Sequence, residues 1–198
     1  GPRASKLVAR GKKTKRLCCS SPSLLKTPNI RQQGPAPVLG VRGSACLMAK
    51  TRGVRATAAF TKFQPFVEYL AEKAFNLGSD TLRLHLTNTA PVATQGVLDL
   101  VTNHPPPAAT SGYTAGGNTI TISSSAQTSG TYKLVLADSV FTASGGSIGP
   151  FRYPILYDDT AASDQLIGYW DYGSSITLAD GETFTWDADP TNGILTIA

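Results

Sequence analysis

The stretch formed by residues 149–198 constrains the fold more than any other part of the chain. It contains short runs of alternating apolar and polar residues at 152–157, 165–172, 176–178, 182–186 and 194–197, separated by turn signals such as Asn192-Gly193. Alternation of this kind gives a strand one buried face and one polar face. Four or five such strands at a spacing of about ten residues are typical of an antiparallel sandwich or barrel.

The preceding region adds one helix and further strands. Phe66, Leu70 and Leu77 recur on one face between Pro65 and Gly78, which predicts a helix over residues 65–77. Alternating runs predict strands at 81–87, 118–123, 131–137 and 140–142. We therefore predict an all-β fold, an antiparallel β-sandwich that is jelly-roll-like and has one N-terminal α-helix. The predicted core contains Leu82, Leu84, Leu134, Leu136, Ile155, Phe184 and Trp186.

Charge is distributed unevenly along the chain. Residues 1–57 hold 13 of the 18 lysines and arginines and none of the 13 aspartates and glutamates, a net charge of +13, whereas residues 58–198 carry −8. Residues 1–57 also lack periodicity and are broken by proline and glycine, which predicts an extended, non-globular basic arm before a β-sandwich domain at 58–198. Such a tail is typical of a segment that binds an anionic partner. The arm residues expected to make that contact are Arg3, Lys6, Arg10, Lys12, Lys13, Lys15, Arg16, Lys26, Arg31, Arg42, Lys50, Arg52 and Arg55.

The arm has three possible interpretations at this point. It is an arm that lies along a partner, an arginine-rich and acid-free targeting peptide, or a segment upstream of a natural start at Met48, the chain's one methionine. We expect the first, because a segment of this composition becomes ordered only when a partner holds it. All three cysteines, Cys18, Cys19 and Cys46, fall in the predicted arm, so the domain is not a disulfide scaffold. No apolar run reaches the length of a transmembrane helix, and a secretory signal is not expected.

Few residues suggest catalysis or metal binding. His85 alternates with leucines on a predicted strand and is expected to be exposed, and His104 lies in a long surface loop at 88–117 that is expected to contact a partner. Asp187, Asp189 and Asn192 loosely resemble a calcium loop, but the spacing is wrong and the final glutamate is missing, so turn formation is expected instead. Signatures of hydrolases, nucleotide-binding loops and zinc proteases are absent. We predict a protein that is not an enzyme and uses no cofactor or metal.

Several segments of residues 58–198 together resemble one family. They are AFTKF at 59–63, NLGSDTLRL at 76–84, LTNTAP at 86–91, GYTAGG at 112–117, GPFRY at 149–153, LIGYWDYGSS at 166–175 and DGE at 180–182. In this order they are similar to small structural proteins of tailed bacteriophages, and most resemble the capsid cement (decoration) proteins with a jelly-roll fold. The resemblance does not include the arm.

The resemblance implies a virion structural protein. It would bind the outer surface of an HK97-like capsid, have the major capsid protein as its partner and reinforce contacts between capsid subunits. A tail or head–tail connector component is an alternative of the same class. Nucleic-acid binding through the basic arm is an alternative of another class, although nucleic acid is not the expected partner and no membrane contact is expected. A carbohydrate-binding enzyme or adhesin of the virion is a third.

Self-association on the capsid lattice is also expected. Shells place accessory proteins at local symmetry axes, and a closed two-fold contact is the commonest kind, so a dimer is favoured over a trimer. The apolar face that remains after the core is filled would form this contact. Its predicted residues are Tyr157, Ile167 and Tyr169.

Overall fold

A computed structural model describes residues 40–50, 54–108 and 111–198 of the chain. The first part contains strands β1 (Val41–Gly43), β2 (Cys46–Lys50), β3 (Val54–Ala58) and β4 (Phe60–Lys62), followed by helix α1 (Phe66–Ala71). After the helix come β5 (Leu82–Thr87), β6 (Asn118–Ile120), β7 (Ile122–Thr128), β8 (Thr131–Leu136), β9 (Ser139–Thr142) and β10 (Ile148–Phe151). The last strands are β11 (Tyr153–Asp158), β12 (Gln165–Trp170), β13 (Ile176–Leu178), β14 (Thr183–Asp187) and β15 (Leu195–Ile197).

These strands form four antiparallel sheets. Sheet I has the order β1-β15-β8-β7, sheet II β3-β2-β14-β9, sheet III β4-β12-β11-β5-β6, and sheet IV is the pair β10-β13. The predicted fold class, an all-β antiparallel sandwich with one helix, is confirmed.

A large core joins all four sheets. Trp170 of sheet III meets Trp186 of sheet II with ring centroids 5.0 Å apart and the planes at 71°. Phe184 contacts Phe151 of sheet IV edge to face at 5.1 Å, and Leu134 of sheet I belongs to the same cluster. All seven core residues predicted from alternation are at most 2% exposed, so that prediction is confirmed.

Sheet III is buried on its second face as well. Every residue of β11 is buried. Leu82, Leu84 and Leu86 of β5 enter the large core, while Phe63 and Ile155 belong to a second, smaller core with Leu98 packed against it. Leu98 lies in the segment 88–117, so this segment covers the sheet from outside.

The helix is shorter than predicted. It ends at Ala71 instead of residue 77, with Glu72 as its C-cap. Lys73 then takes a left-handed backbone conformation with φ of 60°, which a continuing right-handed helix excludes. Phe75 and Leu77 are still buried, because the turn that follows the helix brings them back onto the core.

The predicted boundary at residue 57 is wrong, because the domain already includes the strands that begin at residue 41. β1 pairs with β15, and β2 pairs with both β14 and β3, so these strands are integral parts of sheets I and II. Cys46 and Met48 are buried, at 1% and 0% exposure. Strands of three to five residues that include lysine and arginine carry little alternation, and their β conformation depends on partners near the other end of the chain. Residues 1–39 of the predicted arm lie outside the described residues.

Candidate interaction surface

A groove runs beside helix α1 over sheet I. We call it the α1 groove and define it by Val41, Val67, Leu70, Ser125, Tyr132 and Ile197. Two cavities of about 490 and 340 Å³ make up the groove, and both are lined by Leu70 and Ile197. Val67 is 44% exposed at the helical wall. The floor is therefore apolar and accessible, as in many surfaces that bind another protein.

Polar groups line one end of the α1 groove. The hydroxyl groups of Ser125 and Tyr132 are hydrogen bonded at 2.9 Å. Burial raises the pKa of the Tyr132 phenol, so it stays neutral. Lys73, just after the helix, lines the same end. This arrangement can hold an apolar side chain and offer hydrogen bonds at its edge.

The chain enters the described domain at this groove. Gly40 lines the smaller cavity. Its backbone is hydrogen bonded to Ala198 in both directions, at 2.8 and 3.2 Å, beside β1 and β15. Gly40, the first described residue, thus lies beside the open apolar floor.

The predicted arm residues are divided between the domain and the segment before it. Arg42 is exposed on β1, and Lys50 and Arg55 lie on β2 and β3. The other ten lie outside the described residues: Arg3, Lys6, Arg10, Lys12, Lys13, Lys15, Arg16, Lys26, Arg31 and Arg52.

The residues predicted for self-association do not form an exposed face. Tyr157 is 2% exposed and Ile167 is fully buried. Tyr169 is half-buried and packs on Phe63 with ring centroids 5.2 Å apart. Ile167 packs into the large core, whereas Tyr157 and Tyr169 belong to the smaller core, against which Leu98 of the segment 88–117 also packs. The three residues therefore do not share one open face for a second copy.

A buried polar network fastens that covering segment to β5. His85 is fully buried, contrary to the expectation of an exposed strand residue. Its Nε2 donates to the backbone oxygen of His104 at 2.9 Å, and the Tyr113 hydroxyl donates to its Nδ1 at 3.0 Å. The Tyr113 hydroxyl also accepts the backbone N–H of Leu86 at 2.9 Å. His104, buried as well, accepts the Asp99 N–H and bonds Gln95.

Sequence reasoning missed this network, although β11 contained a signal for it. The run Tyr-Pro-Ile-Leu-Tyr-Asp is apolar on both faces, and a strand of that type is buried on both sides of its sheet. His85 lies opposite Ile155 on the neighbouring β5. A histidine paired with such a strand should have been assigned to the interior.

Acid is expected to destabilise the fold through His85. Burial lowers the pKa of His85 to about 4, below its ordinary value of about 6.5, so the unfolded chain takes up a proton first. The stabilisation is complete above about pH 6.5, and about 2 kcal/mol of it is lost by about pH 5. Urea unfolding at a series of pH values measures this loss.

His85→Gln provides the control, since glutamine does not titrate. The difference in unfolding free energy between wild type and variant should shrink as the pH falls from about 8 to about 5. Burial raises the pKa of Asp158 to about 6, with the nearby Asp80 adding to the rise. Asp158 therefore acts in the opposite direction over this range, and it largely cancels in the difference. A difference that stays constant with pH would contradict the role of His85.

The acidic residues considered for calcium form turns. The Asp189 carboxylate accepts the backbone N–H groups of Thr191 and Asn192 at 2.8 Å each and the Asn192 side-chain amide at 2.7 Å. These bonds lower the pKa of Asp189. Among the described residues, no group of three or more histidine, cysteine, aspartate or glutamate side chains is placed to hold a metal ion.

Comparison with models of known protein families, with curated proteins and with solved structures finds no match to this chain. The part of the chain that the structure describes contains no helix long and apolar enough to cross a membrane.

Proposed function

We propose that this protein is an accessory structural protein of a virion that binds the outer surface of an HK97-like capsid. The observation that carries the proposal is the segregation of charge along the chain. Nine lysines and arginines and no acidic residue precede Gly40, and the remaining chain has a net charge of −4. A basic arm that begins beside an apolar groove suits a partner with an acidic surface and an apolar side chain to insert.

The mechanism is the linkage of two contacts. Once the domain binds through the α1 groove, the arm is held near the same surface at a high effective concentration. A protein that binds only the assembled state stabilises that state by mass action. Each copy that touches two capsid subunits would therefore oppose their separation.

The family resemblance supports the proposal for the domain. Several segments that carry it form structural parts of the fold. GYTAGG at 112–117 supplies Tyr113 of the buried network and Gly117, which lies against the backbone of β5. LIGYWDYGSS at 166–175 includes most of β12 and the core residue Trp170. The resemblance therefore concerns the residues that build the sheets and supports a shared fold.

The first test is the position of the protein in a purified particle. Cryo-electron microscopy and quantitative mass spectrometry of virions should place it outside the capsid floor, at a copy number close to that of the major capsid protein. A few copies at a tail or portal would instead support a connector component. Absence from the particle would refute the proposal.

Neutralising the arm is expected to weaken retention on capsids. A full-length variant with glutamine at the nine basic positions of residues 1–39 should be retained about tenfold less well, because exposed charges attract across a screened distance. Raising the salt concentration should reduce retention of the wild type toward that of the variant. Co-sedimentation with capsids measures both effects.

The matched control keeps the net charge of the arm and changes the order of its residues. A variant with residues 1–39 shuffled retains all nine basic residues and should bind like the wild type. A truncation has to stop before Gly40, because β1 and β2 pair with β15 and β14. Equal retention of neutralised and wild-type protein across the salt series would refute the charge mechanism.

Nucleic-acid binding is the second candidate function, favoured by the same acid-free arm. Lysine and arginine side chains that neutralise phosphates give an affinity that falls steeply with salt. Fluorescence anisotropy with a labelled DNA duplex separates the candidates. Tight binding to DNA, together with a position inside the capsid floor, would favour this alternative.

A further inference from the structure

Strand β7 forms an open edge of sheet I. It spans seven residues, Ile122–Thr128, and among the described strands it pairs on one side only, with β8. Five of its seven residues are exposed. It contains no charged residue and no proline. Natural proteins usually protect exposed edges with such residues, because an unprotected edge pairs with another strand.

The other edges of the large sheets differ from β7 in the described part of the chain. β1 and β4 have three residues each and carry Arg42 and Lys62, and β3 contains Arg55. The edges β6 and β9 are short and are tied together, since the Asn118 side chain donates to the backbone oxygen of Val140 at 3.0 Å. β7 is the longest of these edges and lacks such protection.

The hairpin at the end of β7 determines which backbone groups face outward. Ser129 and Gly130 both have positive φ, 51° and 84°, as in the two-residue type I′ turn. In such a turn the flanking residues Thr128 and Thr131 are hydrogen bonded to each other. Hydrogen-bonded pairs alternate with non-bonded pairs along an antiparallel ladder. Ser125 and Gln127, opposite Leu134 and Tyr132, therefore direct their N–H and C=O groups away from β8.

We propose that two copies of the chain associate by pairing their β7 strands antiparallel, about a two-fold axis at Ala126. In this register Ser125 of one copy lies opposite Gln127 of the other, on both sides of the axis. Each of these pairs exchanges two backbone hydrogen bonds, so all outward groups of Ser125 and Gln127 are satisfied. The two sheets then form one continuous sheet of eight strands, and the open edge is closed.

The side chains near the axis allow this approach. Ala126 meets its own copy in a non-hydrogen-bonded pair, where the side chains come closest and a methyl group fits. Lys133 lies opposite Ala126 on β8, and its Nζ is drawn away because it donates to the backbone oxygen of Thr191 at 2.9 Å. No like charges therefore face each other across the axis.

Ala126→Lys is the test, made in the full-length protein. Two lysines would face each other at the axis, where like charges directly opposite destabilise strand pairing. Sedimentation velocity at concentrations up to about 100 μM should show a wild-type dimer and a variant whose Kd is raised at least about tenfold. An equimolar mixture of Ala126→Lys and Ala126→Glu chains should restore the dimer, because opposite charges then meet.

Val101→Lys is the matched control, since Val101 is 88% exposed in the segment 88–117, and it should leave the dimer unchanged. Circular dichroism checks that each variant is folded. A monomeric wild type, or a dimer that survives Ala126→Lys, would overturn the proposal. It does not rest on the proposed capsid function, because sedimentation of the isolated protein reports the pairing alone.

Discussion

Trp186→Ala is expected to lower the free energy of unfolding by about 3–5 kcal/mol. Trp186 is fully buried on β14 and contacts Trp170 of another sheet at 5.0 Å between ring centroids. Removal of the indole opens a cavity in the large core, and walls made of paired strands collapse into it only partly. Urea denaturation followed by circular dichroism measures the loss.

Trp186→Phe separates the effect of lost side-chain volume from the effect of losing the indole N–H. The indole N–H of Trp186 has no hydrogen-bond partner among the described residues, so phenylalanine removes no such bond and should cost less than alanine. Val101→Ala, at an exposed position, should change stability by less than about 0.5 kcal/mol. A melting temperature unchanged in Trp186→Ala would place that residue outside the core.

Gly117→Ala is expected to cost at least about 3 kcal/mol, because two penalties combine. Gly117 has φ of +76°, and an added Cβ would lie 1.8 Å from the carbonyl oxygen of Leu84. That oxygen belongs to the backbone of β5, which is held between β6 and β11 and cannot move aside cheaply.

Gly145→Ala is a close control for this substitution. Gly145 has nearly the same φ, +77°, but no atom lies within 4 Å of an added Cβ. It should therefore show only the backbone penalty, about 1–2 kcal/mol. If the two substitutions cost the same in urea denaturation, the close approach of Gly117 to β5 does not contribute to stability.

The large core could be predicted because alternation directly reports which side chains share a face of a strand. Leu82, Leu84 and Trp186 were assigned to the interior on this basis, and all three are fully buried. The prediction needs no knowledge of which strands are neighbours, since any sandwich buries one face of each sheet.

The second face of sheet III shows where alternation stops being sufficient. His85 was expected to be exposed because it alternates with the core leucines along its strand. Tyr157 was assigned to the apolar face that remains after the core is filled. Both are buried, because the segment 88–117 folds back over them. That segment has no periodicity, so the sequence contains no local indication of where it packs. Tertiary contacts, and not strand propensity, decide the environment of these residues.

The start of the domain was mislocated for a related reason. β1 and β2 are short and lie in a region dominated by basic residues, and composition assigned them to the arm. Their β structure comes from pairing with β15 and β14, which local patterns do not report. The open edge of β7 could not be inferred either, since a run of serines is typical of a turn and only the pairing with β8 shows that it is a strand.

The same pairings have a consequence for how the chain folds. β1, β2 and β4 pair with β15, β14 and β12, so these early strands need partners that are synthesised roughly 105 to 155 residues later. At about 5–20 residues per second, they wait on the order of ten seconds on the ribosome for these partners. Contacts of such long sequence separation slow folding, because loop closure costs entropy before pairing repays it. These sheets are therefore completed only after β12, β14 and β15 have been synthesised, and the nascent chain exposes Met48 and Phe60 until β14 and β12 have emerged.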